Sequence, residues 1–372
     1  LYSHPSFNEA SRKTARGNIA SAANSLVREL GSGSHIFHTR MYGWALGVAM
    51  AGLALDREHP DAGSFVDFGG DFFQERLFPA RRLQDGAVHN SFGYGRKYTM
   101  WQTGHFISCW HSSTGQNLWQ TIDTGQDGWA RREMLFNIYG RYPDGTYLRF
   151  GDSYSLTSDF YSFRAVSERV AAYRDPVGQG FLQMLIEQNA GKVVEKPSAY
   201  IYFLNYDPEL KSVPVSTLPS AKLFSRDGLG MAIWKSGWEN NGTTVFFKCG
   251  NYFGDHGHFD QGHVDIFRRA PLLIDSGHYL TFSGEFRTEY WHRTVAHNSI
   301  LITAPSMPAE EGGQRVFHSQ DDDTIEKYMA NTEAETGDLL DYVERDWFSY
   351  AAGCFTAACP AGRAESVTRE VA

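Results

Sequence analysis

The spacing of apolar residues changes period once along this chain of 372 residues, near Lys211, and that change limits the folds open to it. Upstream, residues 7–30, 35–55, 64–78, 98–110, 129–139, 159–173 and 181–188 carry apolar side chains at helical intervals over helical lengths. Turn clusters separate them: Gly31-Ser32-Gly33-Ser34, His59-Pro60-Asp61, Asp85-Gly86 and Pro143-Asp144-Gly145. Helices joined by short turns predict a layer of helical hairpins. Downstream, residues 221–224, 230–234, 243–249, 263–267, 271–274 and 298–303 are short runs rich in Val, Ile, Phe and Trp. Asp227-Gly228 and Asn241-Gly242 lie between them, so this half predicts an antiparallel sheet. The Pro/Ser-rich stretch 212–219 is the natural linker, giving a helical domain over 1–210 and a sheet domain over 211–372. The acidic stretches 320–323 and 333–338 read as loops between further strands.

Composition narrows the function. Nine Trp, 19 Tyr and 26 Phe supply ample surface to bury, which excludes a disordered chain. The formal charge of −9 argues against a nucleic-acid binder, whose footprint is basic overall. It bears less on an anionic substrate, because a cleft can be basic on an acidic protein. The longest uncharged apolar run, 41–55, is shorter than the ~20 residues a membrane-crossing helix needs. Four cysteines are too few for a disulfide scaffold, although Cys354 and Cys359 are close enough in sequence to pair. The chain begins at Leu1 and has no evident closing element at Ala372, so a fragment cut at one or both ends is expected.

The densest chemistry is Gly254-Asp255-His256-Gly257-His258-Phe259-Asp260-Gln261-Gly262-His263. On an extended backbone His256 and His258 project to the same face, with Asp260 alongside. Asp275 ends the next apolar run, and His297 precedes another. A His/Asp/His set with one position open is a familiar zinc composition. An isolated His-x-His is more often a pair of hydrogen-bonded histidines, so spacing alone leaves metal binding open. His263, His278 and His292 read as surface or supporting residues.

Three segments in order carry a resemblance: Asp255-His256-Gly257-His258-Phe259-Asp260, Leu273-Ile274-Asp275-Ser276-Gly277-His278-Tyr279, and Thr294-Val295-Ala296-His297-Asn298-Ser299. Together they resemble the sheet domain of the heparinase II/III-like polysaccharide lyases. The resemblance implies an α+β chain, an incomplete (α/α) toroid followed by a sandwich-like antiparallel sheet domain. It also implies that His256 is catalytic, and that His258, Asp275 and His297 hold a structural Zn2+. Tyr279 falls where some members contact substrate. The family's catalytic tyrosine follows a Pro-Asp-Gly turn, which favours Tyr154 with Tyr147 in reserve. For the group that neutralises the substrate carboxylate the resemblance points to His89 and Asn90, with His105 a rival.

The implied reaction is β-elimination of a uronate polymer, a glycosaminoglycan such as heparin or heparan sulfate, or alginate. It removes the C5 proton and expels the oxygen at C4. A His or Asn donor at the carboxylate stabilises the developing enolate-like charge, while a base and an acid serve C5 and the leaving oxygen. A phenol with a reference pKa of ~10 needs positive charge nearby to act as base. Arg96, Arg149, Lys97 and Arg293 are basic candidates for substrate contact, and Trp101, Trp110, Trp129, Trp291 and Tyr94 could line a sugar cleft. Such polymers are met in the periplasm or outside the cell, and a homodimer is compatible with the resemblance. Two readings compete. A glycoside hydrolase on an (α/α) barrel would need two flanking carboxylates, best Asp144 and Asp152. A metal-stabilised carbohydrate-binding protein would keep the fold without catalysis.

Overall fold

The computed structural model describes residues 4–33, 35–122, 128–154, 157–196, 199–254, 256–316, 322–345 and 347–372. Asp255, which opens the histidine motif, and residues 320 and 321 of the acidic tail lie outside them.

The helical layer begins with α1 (Glu9–Gly31), α2 (Thr39–Ala54) and α3 (Ala62–Asp71). Asn8 caps α1 by accepting the Ser11 N–H at 2.9 Å, and the His38 ring caps α2 by accepting from Arg40 at 3.1 Å. A π-helical turn, Phe72–Leu77, carries α3 into α4 (Phe78–Gln84). The short α5 (Phe92–Tyr94) passes through a second π-turn, Gly95–Met100, into α6 (Trp101–Thr114). Then come α7 (Trp129–Tyr139), α8 (Asp159–Tyr173), α9 (Pro176–Gln188) and α10 (Tyr200–Asn205). Consecutive helices pack on one another, α1 on α2, α2 on α3, α7 on α8 and α8 on α9, as an incomplete (α/α) toroid built from hairpins requires. No described helix is long and apolar enough to cross a membrane.

Strands follow from Ala221. The first sheet is an antiparallel meander of β1 (Ala221–Phe224), β2 (Met231–Lys235), β3 (Thr243–Lys248), β4 (His263–Arg268) and β5 (Ala270–Leu273). A second antiparallel sheet holds β6 (Asp338–Arg345), β7 (Phe348–Cys354) and β8 (Thr368–Val371). Side chains alternate between the faces of the first sheet. Met231, Ile233 and Phe246 enter the core shared with the helices, whereas Ala232, Trp234 and Phe247 meet Leu339 and Ala351 of the second sheet. Both faces of β2 are therefore covered, which is why all five of its residues are buried. The layers run helices, sheet, sheet, and the first hydrophobic core runs from Ala20 of α1 to Tyr328 and Ala334.

Two local expectations need correcting. Residues 298–303 form no strand: a 3-10 turn (Thr294–Ala296) leads into irregular chain held by the Ile302 N–H on Gly312 O at 2.9 Å. His256 and His258 do not lie on a strand either, since His256 has φ +67°, a conformation that breaks any extended run. The four cysteines are free thiols.

Candidate active site

Asp152 is the centre of the constellation, and it comes from the segment that follows α7. Its backbone N–H donates to His256 O at 3.0 Å, and its carbonyl accepts from Ser91 Oγ at 3.1 Å. Gly151 makes this approach possible: with φ +58°, a Cβ there would lie 2.6 Å from His256 O and 3.2 Å from the Asn90 carbonyl carbon. The helical layer and the loop between β3 and β4 therefore touch backbone to backbone.

The Asp152 carboxylate is fully buried and accepts three donors. His256 Nδ1 lies 2.6 Å from Oδ2, His258 Nε2 2.9 Å from Oδ1, and Arg287 Nε 2.9 Å from Oδ1. Burial alone would raise this carboxyl; the hydrogen bonds from His256 and His258 and the Arg287 charge overturn that and hold it well below the usual carboxylate range. The two histidines thus converge as expected, on a shared carboxylate rather than across a strand face. Burial pushes the His258 ring below its ordinary value despite Asp152, so a neutral imidazole is favoured.

With Nε2 on Asp152, His258 turns Nδ1 toward Asp275 and His297. One ligand atom from each of these three residues lies within 4.8 Å of the others. His258 Nδ1, Asp275 Oδ2 and His297 Nε2 are buried with no hydrogen-bond partner, and His297 Nδ1 pairs with Asp275 Oδ1. Buried polar atoms are rarely left so, and a His/Asp/His donor set fits a zinc ion. Asp152 would then be the outer carboxylate that orients a metal-bound imidazole. Nearby, His292 Nε2 bonds Gly257 O at 2.7 Å and His263 Nε2 bonds Asp265 at 2.9 Å, so both act as supports. His278 is exposed. Asp260 pairs with buried Lys248; burial opposes ionisation, but the Lys248 charge brings its carboxyl down to about 2.

Around His256 stand aromatic rings from both layers. Tyr94 stacks on it at 4.1 Å between centroids, Tyr279 is edge-on at 6.0 Å and Phe282 at 5.3 Å. Tyr154 meets Tyr94 at 5.0 Å and Tyr279 at 6.4 Å, with Lys97 Nζ 5.4 Å above its ring. Burial, then Tyr98 and Tyr94, push the Tyr154 phenol well above its ordinary value, so it is held protonated. Tyr147 is elsewhere, fully buried, donating to Asp159 at 2.8 Å with Arg96 stacked at 3.8 Å.

His89 and Asn90 divide in environment. The His89 ring packs against Phe37 and Phe253 and bonds Gln84 at 2.8 Å. Asn90 is fully buried, and neither its amide oxygen nor its nitrogen has a partner. The rival His105 bonds Glu168 of α8 at 3.4 Å and faces Cys109 one turn along α6 and Tyr200 of α10; burial opposes its protonation, yet Cys109 and Glu168 raise it to about 10.

Several basic and aromatic expectations are corrected by burial. Arg96 is buried and committed to Phe92 O, Ser158 O and Ser162 Oγ, so it cannot meet a polymer. Arg149 is half-buried, and its charge acts on Tyr142, which packs on Phe267. Trp110 and Trp129 belong to the helical core, and Trp291 is buried beside His258. The two carboxylates of the hydrolase reading sit in different surroundings. Asp144 is exposed, bonded to Thr146 within its turn, and lines a cavity of about 730 Å³ that Asp152 does not reach. Sequence reasoning missed Arg287, the role of Asp152, and His38, whose ring is 5.7 Å from His256. Only the Gly-Asp-Ser-Tyr string beside Tyr154 hinted at Asp152.

Comparison with known proteins bears on the fold. Residues 219–350 match the family described as Heparinase II/III-like, C-terminal. A search of curated proteins found no match. Among solved structures, heparinase III superposes with TM-score 0.62 at 15% identity over 96% of this chain and 48% of its own. Heparan sulfate lyase HepC from Pedobacter heparinus gives TM-score 0.54 at 13% identity, over 85% of this chain and 41% of its own. The chain thus spans less than half the length of either, and at such identities the likeness is one of fold. Residues 219–350 thus resemble the C-terminal domain of heparinase II/III-like proteins, and the fold of the whole chain is similar to that of heparinase III.

Proposed function

We propose that the protein is a polysaccharide lyase that cleaves a uronate-containing polymer, heparan-like or alginate-like, by β-elimination. The observation that carries this reading is the grouping of Tyr154, Tyr279 and His256 around Tyr94, with His256 held by buried Asp152. Because Nδ1 of His256 is engaged by Asp152, its Nε2 is the nitrogen left to act as base. His256 Nε2 takes the C5 proton, the C5–H electrons become the C4=C5 double bond, and the C4–O4 bond breaks. Tyr154, kept protonated by burial, gives its proton to the departing oxygen. The Asn90 amide donates to the uronate carboxylate and stabilises the charge that develops there. Tyr279 is the substrate contact beside His256.

His258, Asp275 and His297 would hold Zn2+, which when bound supplies a fixed positive charge and locks the loop that carries His256. Substrates of this class imply action in the periplasm or outside the cell. The reading is tested on a panel of uronate polymers and uronate-free glucans, following the absorbance of the unsaturated uronate product. Absorbance is expected only with uronate polymers. Release of new reducing ends without it would indicate hydrolysis, and binding without either would indicate a non-catalytic protein.

A further inference from the structure

We infer that Asp152 is a positioning residue that couples the metal centre to the base, by fixing the tautomers of His256 and His258 with one carboxylate. The inference rests on the lyase reading for its consequence, but its content is a statement about two imidazoles and one anion. Each Asp152 oxygen accepts from a different ring: Oδ2 from His256 Nδ1 and Oδ1 from His258 Nε2. An ionised carboxylate has no proton to give, so the ring nitrogen that faces each oxygen carries the hydrogen. In neutral rings the opposite nitrogens are then lone pairs. On His258 this is Nδ1, which has no hydrogen-bond partner and belongs to the cluster with Asp275 and His297. On His256 it is Nε2. The sequence interval of two residues between these histidines, with the left-handed turn at His256, brings the two rings to opposite oxygens of the same group.

Arg287 completes the arrangement. Its Nε bridges both Asp152 oxygens at 2.9 and 3.1 Å, while Nη1 donates to Phe282 O and the guanidinium lies 4.4 Å over the Phe282 ring. It balances the buried charge and fixes the plane of the carboxylate. A neutral amide in place of Asp152 has one accepting oxygen and one donating nitrogen. It can satisfy only one of the two rings and would force the other to reverse its tautomer or lose its bond. Metal affinity and the base would therefore both respond to a residue that touches neither metal nor substrate.

The test uses 15N-histidine-labelled protein without substrate, so that it stands apart from any lyase assay. At pH 8 and before metal is added, His256 is expected as the Nδ1–H tautomer and His258 as the Nε2–H tautomer. Zinc alone is then titrated into wild type, Asp152→Asn and Asp152→Glu. Asp152→Asn is expected to reverse or blur one tautomer and weaken zinc binding about 10- to 100-fold, the usual effect of losing such an outer partner. Asp152→Glu keeps two accepting oxygens and is expected to recover part of the affinity. The opposite tautomer or a doubly protonated ring in wild type, or unchanged zinc affinity in Asp152→Asn, would overturn the inference. If Asp152→Asn fails to fold, the wild-type spectra decide alone. Correct tautomers with no unsaturated product from any polymer would sink the lyase reading and leave this one standing.

Discussion

Tyr94 of α5 lies nearly parallel on the ring of His256, with centroids 4.1 Å apart and planes inclined by 23°. The helical layer thus covers one face of the proposed base, which the sheet-side loop supplies, while Asp152 holds its edge. Tyr94→Ala should lower kcat about 2- to 10-fold, matching the ~0.5–1.5 kcal/mol of an aromatic pair, and leave bound zinc unchanged. Tyr94→Phe keeps the stack and should lose less. Paired measurements of kcat and metal content check this, and loss of metal in Tyr94→Ala would contradict it.

Two tyrosines follow the same turn and should part company on substitution. Tyr154→Phe should reduce kcat by about 10²- to 10⁴-fold, the range for losing a general acid, with little change in melting temperature. Tyr147→Phe removes a buried hydroxyl bonded to Asp159 and should cost about 1–3 kcal/mol of stability, with kcat altered much less. Steady-state kinetics and thermal melts of both variants decide the assignment. An active Tyr154→Phe would remove that residue from the mechanism.

Much of this was legible in the sequence, for identifiable reasons. Helices α7 and α8 follow strict apolar spacing, and β1 coincides with its apolar run from Ala221 to Phe224. The candidate metal set His258, Asp275 and His297 came from the resemblance rather than from spacing, and the fold brings one donor atom of each within 4.8 Å of the others. Asp152 was not legible as a hub, because its partners His256, His258 and Arg287 lie more than a hundred residues away. Arg96 misled for the converse reason: a charge in a Gly-rich string reads as surface, whereas here Ser158, Ser162 and Tyr147 fold over it. Residues 298–303 have strand composition, but their chain finds no ladder partner beyond Gly312.

Asn90 and His89 are adjacent and predict opposite trade-offs. Asn90→Ala should reduce kcat/KM by about 10²- to 10³-fold, as loss of a charge-stabilising donor does. Its stability should hold or rise, because a buried amide with no partner is removed. His89→Ala should instead lower the melting temperature, since it takes away packing against Phe37 and Phe253 and the bond to Gln84. Kinetics and calorimetry on the two variants check the contrast. A large stability loss in Asn90→Ala would contradict it.

Acid should weaken the fold through His38. Burial first, then the neighbouring His256, lower its pKa from 6.5 to about 3, and its Nδ1 must stay unprotonated to cap α2. Because the folded value lies below the unfolded one, stability is whole above pH 6.5. It declines as pH falls from there toward 3, where the unfolded chain binds a proton that the folded chain refuses. His38→Asn keeps a capping acceptor without a titrating ring and should flatten the stability profile between pH 6.5 and 4 in denaturant titrations. An unchanged slope would contradict the role given to His38.

The central claim is elimination, and one measurement addresses it most directly. Wild type and Tyr154→Phe are followed on a single uronate polymer, recording unsaturated-uronate absorbance and new reducing ends in the same reaction. The account predicts one chromophore for every reducing end with wild type, and neither signal above background with Tyr154→Phe. Reducing ends accumulating without the chromophore, or chromophore formed at the wild-type rate by Tyr154→Phe, would contradict it.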